Sequence, residues 1–363
     1  MTARFHNPVD TRFGCGSLQE LVALTEHQKV ALVTFPEARG LGLVDRIQNL
    51  LGERLVYLVE DVQPNPDVAQ LRRTYERFWR EAGDCQVVIA VGGGSAIDTA
   101  KALIVGTETG SFDELLSLLA TGKPFVPARS KALIAAPTTA GTGSEVTPWA
   151  TIWDSASQKK YSLHLDSTWP KVAIVDPELM LTVPAGVTVS TGLDALSHAL
   201  ESIWNVNANP ISDNFAISAI EDILECLPKL HRDLTDKELR SRMALAALKA
   251  GMAFSNTKTA LAHSISYEMT LRHGLPHGIA CSFTLPLVLG LAWGRDEARD
   301  RTLQRVFGND LAKAQAQLRE FLHSLQVKTE FNDYGVTAKE AEEMIELAMQ
   351  GARGKNFIGS RAA

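Results

Sequence analysis

Between residues 29 and 177 the chain repeats one pattern. Short apolar runs, "KVALVTF" (29–35), "RLVYLVE" (54–60), "CQVVIAVGGGS" (85–95), "KALIAAPT" (131–138) and "KVAIVDP" (171–177), are bounded by Gly or Pro and separated by helical stretches. Runs this uniformly apolar are strands buried in a parallel sheet, because a half-exposed strand would alternate. The pattern therefore predicts an α/β domain. After about residue 181 it changes: "ISDNFAISAIEDILECLPKL" (211–230) and "ELRSRMALAALKAGMAF" (238–254) place apolar residues at helical spacing, and strands become hard to find. The expected organisation is an α/β domain over 1–180 followed by a helical domain over 181–363, dividing near "LMLTVPAGVT" (179–188).

The 363 residues suffice for two such cores. A net charge of −6 gives no general attraction to phosphate backbones and argues against nucleic acid as a partner. Cys15, Cys85, Cys226 and Cys281 show no paired spacing and read as buried, reduced thiols. The N-terminus "MTARFHNPVD" lacks the apolar core of a signal peptide. The longest apolar run, "IACSFTLPLVLGLAW" (279–293), is too short to span a bilayer and contains Pro286. A cytoplasmic protein without membrane contact is expected.

"VVIAVGGGSAIDTAKAL" reads as a buried strand, a glycine turn at Gly92, Gly93 and Gly94, and a helix opening at Ser95. Glycines let a pyrophosphate approach the backbone, and free N–H groups at the helix start stabilise its charge. The spacing is not that of the usual dinucleotide fingerprint, so taken alone a tight turn is an equal reading. A second strand end, "APTTAGTGSEVT" (136–147), is rich in small hydroxyl residues. Two such turns fit a dinucleotide lying across the carboxyl ends of a parallel sheet.

"STGLDALSHALES" (190–202) sets Asp194 and His198 four residues apart on one helical face. By themselves they make a surface hydrogen bond. "ALAHSISYEMTLRHGLPHG" (260–278) adds His263, His273 and His277. One carboxylate with several imidazoles suits a borderline divalent ion such as Fe²⁺ or Zn²⁺. His273 competes with His277 for the last place, although Gly274 and Pro276 interrupt any helix between them.

"GGGSAIDTAK", "PTTAGTGSEVT", "DALSHALE" and "HGLPHG", in this order and at these distances, resemble the iron-containing (group III metal-dependent) alcohol dehydrogenases over nearly the whole chain. The resemblance implies a Rossmann-like dinucleotide-binding domain, an all-α metal- and substrate-binding domain with the dehydroquinate synthase-like fold, NAD(P)H in a cleft, a divalent metal and a homodimer. It places the metal ligands on Asp194, His198, His263 and His277. The cofactor residues fall on Gly92, Gly93, Gly94, Ser95, Asp98, Thr138, Thr139, Thr142 and Lys160. Two positions depart from the family pattern. Tyr267 stands where many members carry a proton-relaying histidine. Phe35 stands where NAD-selective members carry an acid against the ribose, so NADPH, with Arg39 nearby, is expected to be tolerated.

Within the family, residues 254–286 most resemble phosphonoacetaldehyde reductases, which implies reduction of phosphonoacetaldehyde to 2-hydroxyethylphosphonate. An anionic aldehyde asks for cations near the metal, and the candidates are Lys258, Arg272, Arg353 and Lys355, with Trp149 and Phe254 walling the carbon part. The rival readings are a general short-chain alcohol dehydrogenase or aldehyde reductase, a dehydroquinate synthase-like lyase that turns over no NAD, and a non-catalytic binding protein.

Overall fold

The computed structural model describes residues 3–157 and 159–360. They form two compact units. One comprises Pro8–Thr139 and Ser144–Leu179; the other holds residues 3–7, Ala140–Gly143 and the chain from Met180 onward.

The first unit contains strands β1 (Asp10–Phe13), β2 (Val30–Val33), β3 (Leu55–Val59), β4 (Val87–Gly92), β5 (Ala132–Pro137), β6 (Trp149–Asp154), β7 (Lys159–His164) and β8 (Val172–Val175). Its longer helices are α1 (Leu43–Leu51), α2 (Val68–Glu81), α3 (Gly94–Leu103) and α4 (Phe112–Ala120). Among the described residues six strands pair in parallel in the order β1, β8, β5, β4, β2, β3. Alternate strand residues enter two separate cores. Ala31, Val88, Ala90 and Ala135 pack with Tyr75 and Phe78 of α2, Ile97 of α3 and Phe112 of α4, while Val30, Leu32, Ile89 and Ile134 pack with Val44 and Ile47 of α1. Burial on both faces is why the runs lack alternation. The sequence reading missed β1, "DTRF", an edge strand with exposed side chains. It also missed the antiparallel hairpin of β6 and β7, whose second strand is polar and partly exposed.

The turn from β4 into α3 is tight enough to demand glycine. A Cβ on Gly92 would lie 2.6 Å from the Ala96 Cβ and 3.3 Å from the Phe35 ring. Behind this turn, polar groups pin α3 from within. The Asp98 carboxylate accepts the Ser144 hydroxyl at 2.7 Å and the Thr151 N–H at 2.9 Å. The fully buried Lys101 ammonium donates to Ser144 O, Ser144 Oγ and Trp149 O at 2.7–2.8 Å. Burial lowers Lys101 to about 8 against the opposing pull of Asp98 and Glu145, and raises Glu145 to about 7.

The second unit is helical: α5 (Ala185–Ile203), α6 (Pro210–Arg232), α7 (Lys237–Thr257), α8 (Leu261–His273), α9 (His277–Ser282), α10 (Leu285–Ala292), α11 (Glu297–Phe307), α12 (Leu311–Ser324) and α13 (Ala338–Gln350). Side-chain caps start several of them. Asn209 accepts from the Ile211 and Ser212 N–H groups ahead of α6, with Pro210 in the first turn, and Asp236 caps α7. The central helix α5 is buried along most of its length among α6, α7 and α9. Ala140–Gly143 lies against this bundle, where a Cβ on Gly141 would meet Thr191 O at 2.5 Å and one on Gly143 would meet the Gly251 Cα at 2.7 Å. No helix of the described residues is long and apolar enough to cross a membrane.

Lys101→Met leaves Asp98 and Glu145 buried without their cation. Removing one partner from a buried charged cluster costs about 3 kcal/mol or more. Urea unfolding followed by circular dichroism checks this; an unchanged midpoint contradicts the structural role of the cluster.

Candidate metal centre and nucleotide turn

Asp194, His198 and Glu201 occupy one face of α5 at i, i+4 and i+7, and all three are buried. His263 comes from the first turn of α8 and His277 from the start of α9. The short helix α9 is clamped to α5. A Cβ on Gly278 would stand 1.7 Å from Ser190 O, and Ser197 Oγ donates to Cys281 O at 3.1 Å.

These elements converge on one carboxylate oxygen. Asp194 Oδ1 lies 3.3 Å from His263 Nε2, 3.7 Å from His198 Nε2 and 3.8 Å from His277 Nε2. Donors about 2.0–2.1 Å from a shared tetrahedral ion stand roughly 3.3–3.4 Å apart, so the set is spaced for one ion with little contraction. Among the described residues neither Asp194 Oδ1 nor His263 Nε2 has a well-directed hydrogen-bond partner, although both are buried. Orphaned buried polar atoms are costly, and a divalent cation satisfies them together. The donor atoms of Asp194, His263, His277 and Cys281 all lie within 4.8 Å of one another. His198 falls outside that foursome, although its Nε2 is as near to Asp194 Oδ1 as that of His277.

Burial raises the Asp194 carboxyl, but His198, then His263 and His277, outweigh it and hold the group well below the usual carboxylate range. Burial lowers His198 to about 4 against the pull of Asp194, whereas in His263 and His277 the neighbouring Cys281 and the carboxylates outweigh burial and raise the imidazole. His198 is sandwiched between the Phe254 ring at 4.0 Å and His263 at 4.6 Å, both nearly parallel. His277 is the histidine with an open edge, its side chain 41% exposed against 5–6% for His198 and His263.

The reading from sequence missed Glu201. Its carboxylate is fully buried, accepts from the backbone N–H groups of Ala260 (2.8 Å) and His263 (3.1 Å), and takes His263 Nδ1 at 2.7 Å. With Nδ1–H held there, Nε2 is the nitrogen left for an ion, the arrangement by which outer carboxylates orient ligating histidines. The i, i+4, i+7 spacing of "DALSHALE" was the available signal. Cys281 is a buried free thiol, as read from the sequence, and stands beside His277 at 3.6–3.7 Å. Cys15 corrects the same reading, being exposed.

His273 ends α8 exposed, and Gly274, at φ 68°, turns the chain before His277. Tyr267 sits one turn beyond His263 with the Arg353 guanidinium 4.8 Å over its ring. Of the four cations proposed for an anionic substrate, Arg353 is the one anchored here, its Nε donating to Thr259 Oγ1 at 2.9 Å. The structure does not bring the others in. Arg272 pairs with Glu268 at 2.7 Å on the surface, and the Lys258 and Lys355 side chains are exposed. Lys258 caps α7 with φ 65° and ψ 170°, a strained conformation for a residue with a Cβ, and its carbonyl is held by Asn205 Nδ2 at 3.0 Å.

In the α/β unit the proposed cofactor residues gather at the carboxyl ends of β2, β4 and β5. Phe35 packs beside Gly92, Thr138 N donates to Gly92 O at 3.0 Å, Thr139 Oγ1 lies beside Gly93, and Gly94 and Ser95 open α3. Ser95 Oγ also accepts from the Asn65 N–H at 3.1 Å. Asp98 orders the neighbouring loop with its whole carboxylate. Lys160, on β7, lies 5.1 Å over the Trp153 ring, and Trp149, on β6, stacks on His164 at 5.4 Å. Thr142 belongs to the helical unit. Arg39, expected near a 2′-phosphate, is held by Glu60 at 2.9 Å.

Residues 8–177 match the family model for iron-containing alcohol dehydrogenase, and residues 188–359 match the C-terminal model of the Fe-containing alcohol dehydrogenase family. The chain belongs to the iron-containing alcohol dehydrogenase family. It is 34% identical to an NADPH-dependent butanol dehydrogenase of Clostridium saccharobutylicum over 98% of this chain and 93% of that one. It is 37% identical to an NAD-dependent methanol dehydrogenase of Bacillus methanolicus, over 78% and 74%. The crystal structure of sulfoacetaldehyde reductase from Bifidobacterium kashiwanohense in complex with NAD⁺ superimposes with a TM-score of 0.90 at 30% identity, covering 98% and 94% of the two chains. The protein is thus a nicotinamide-linked oxidoreductase of alcohols and aldehydes.

Glu201→Gln puts an amide NH₂ against one of the three N–H donors that the carboxylate now accepts. We expect metal affinity to fall roughly 10–100-fold, the usual loss on removing such an outer partner, and Asp194→Ala to abolish binding. Equilibrium dialysis with elemental analysis measures both; wild-type affinity in Glu201→Gln contradicts the orienting role.

Proposed function

We propose that the protein reduces a small anionic aldehyde to its primary alcohol with NADH or NADPH, phosphonoacetaldehyde to 2-hydroxyethylphosphonate being the pair that fits best. Arg353 carries this reading. No carboxylate among the described residues makes an ion pair with its guanidinium, which burial depresses below its ordinary value against the more distant pull of Glu201. It is tied to Thr259, one residue before the Ala260 whose N–H hangs, with that of His263, from Glu201. A fork-shaped cation fixed this close to a metal ligand matches a phosphonate or sulfonate. The Bifidobacterium enzyme is named for an aldehyde that bears a sulfonate, which supports the same class.

A divalent ion held by Asp194, His198, His263 and His277, Fe²⁺ or Zn²⁺ by donor type, would supply Lewis-acid polarisation of the carbonyl, and the nicotinamide the hydride. The residues themselves do the positioning. Arg353 receives the anionic end, Phe254 walls the site beside His198, and the open edge of His277 leaves the carbonyl room to enter. The alcohol proton comes from water or a cofactor hydroxyl, because Tyr267, covered by Arg353, replaces a relaying histidine. Homodimeric assembly and a cytoplasmic location complete this reading, carried by the family resemblance.

Arg353→Met should lower kcat/KM for phosphonoacetaldehyde about ten-fold or more, since a charge-assisted contact is worth roughly 1.5–3 kcal/mol. Propanal reduction should stay nearly unchanged. A wild type that prefers propanal, or equal loss on both substrates, replaces this reading with a general aldehyde reductase; no net oxidation of NADH with any aldehyde favours the lyase.

The same assay decides cofactor use. NADPH should support a substantial fraction of the NADH rate, because Phe35 brings no carboxylate against a 2′-phosphate, and Phe35→Asp should depress NADPH use selectively. Wild-type rejection of NADPH by orders of magnitude would assign discrimination to Glu60, which already engages Arg39.

A further inference from the structure

His277 and Cys281 are four residues apart on α9, and their donor atoms lie within 4.8 Å of those of Asp194 on α5 and His263 on α8. The two pairs meet because Gly278 lets α9 touch the backbone of α5 at Ser190, and because the Cys281 carbonyl is fixed by Ser197. The thiol is buried, and its Sγ stands 3.6 Å from His277 Nε2 and 3.7 Å from His277 Nδ1. A contact equidistant from both ring nitrogens is not a directed hydrogen bond to either. A thiolate at about 2.3 Å and an imidazole at about 2.05 Å from one ion are separated by roughly 3.5 Å. The spacing is therefore that of two donors on one ion, beside the buried Asp194 Oδ1 and His263 Nε2, which have no well-directed hydrogen-bond partner among the described residues.

We propose that Cys281 is a fifth donor to the ion at this centre, giving it one oxygen, three nitrogens and one sulfur. The inference rests on the metal centre described above and deepens it. As the ion enters, the thiol releases its proton to solvent and the sulfur donates its lone pair, with no change of oxidation state. A thiolate in the set selects for softer divalent ions, so Zn²⁺ and Co²⁺ gain over Mn²⁺ beyond the ordinary affinity order.

The test is titration of the metal-free full-length protein with Co²⁺. Wild type should show visible d–d bands and a near-ultraviolet sulfur-to-cobalt charge-transfer band. Cys281→Ser and Cys281→Ala should keep the d–d bands and lose the charge-transfer band, while Asp194→Ala loses both. In competition, Cys281→Ser should bind Zn²⁺ roughly ten-fold more weakly with Mn²⁺ binding nearly unchanged. A wild-type spectrum with d–d bands but no charge transfer, or a charge-transfer band that survives in both cysteine variants, overturns the proposal and leaves the four-ligand centre standing. No d–d bands in wild type overturns the centre and the proposal together.

Discussion

A buried carboxylate oxygen without a well-directed hydrogen-bond partner among the described residues is the constraint around which the helical unit is arranged. Asp194 Oδ1 has three imidazole nitrogens within 3.8 Å. Filling that space with apolar side chains would remove the cost of burying these groups; the chain keeps them and builds outward. Glu201 fixes the His263 ring and the start of α8 through three accepted N–H groups. Gly278 lets α9 come close enough to deliver His277 and Cys281. Helices α5, α8 and α9 are thus positioned by the same few polar contacts that shape the centre, while the surrounding apolar core supplies the rigidity.

The α/β unit solves a different problem by related means. Its glycine turn needs bare backbone, as the 2.6 Å approach of a Cβ on Gly92 to Ala96 shows. Bare backbone brings no side chain to hold α3 in place. The buried Lys101, reaching three oxygens from the far side of the helix, supplies that hold, and Asp98 orders the loop that follows β5. The motif "GGGSAIDTAK" therefore has two halves: glycines and a serine that leave bare backbone at the start of α3, and an Asp and Lys that work behind it.

The parallel sheet was legible because strands buried on both faces write themselves as unbroken apolar runs. The edge strand "DTRF" and the polar strand β7 were not, since strands that face water lack that signature. At the centre, residue type and spacing pointed to Asp194 and the histidines, and the resemblance to a family chose His277 over His273; the structure supplies the reason, an αL turn at Gly274 that sends the chain back toward α5. Glu201 was hidden by looking ordinary, one acid near the end of an Ala/Leu-rich helix, until its three N–H donors from Ala260 and His263 were seen. Cys281 was hidden because its partners are distant in sequence except for His277. Charge alone could not rank the four cations, as only packing separates Arg353, tied to Thr259 and Tyr267, from the solvated Arg272, Lys258 and Lys355.

On the proposed reading, aldehyde reduction by this chain depends on an ion held at Asp194 and its histidines. The direct measurement is NADH oxidation by chelator-stripped protein with a small aldehyde, repeated as Fe²⁺ or Zn²⁺ is added back and bound metal is counted. Activity absent from the stripped protein and returning in step with bound metal is the predicted result. Undiminished turnover without metal, or metal bound in full with no aldehyde-dependent oxidation, would contradict it.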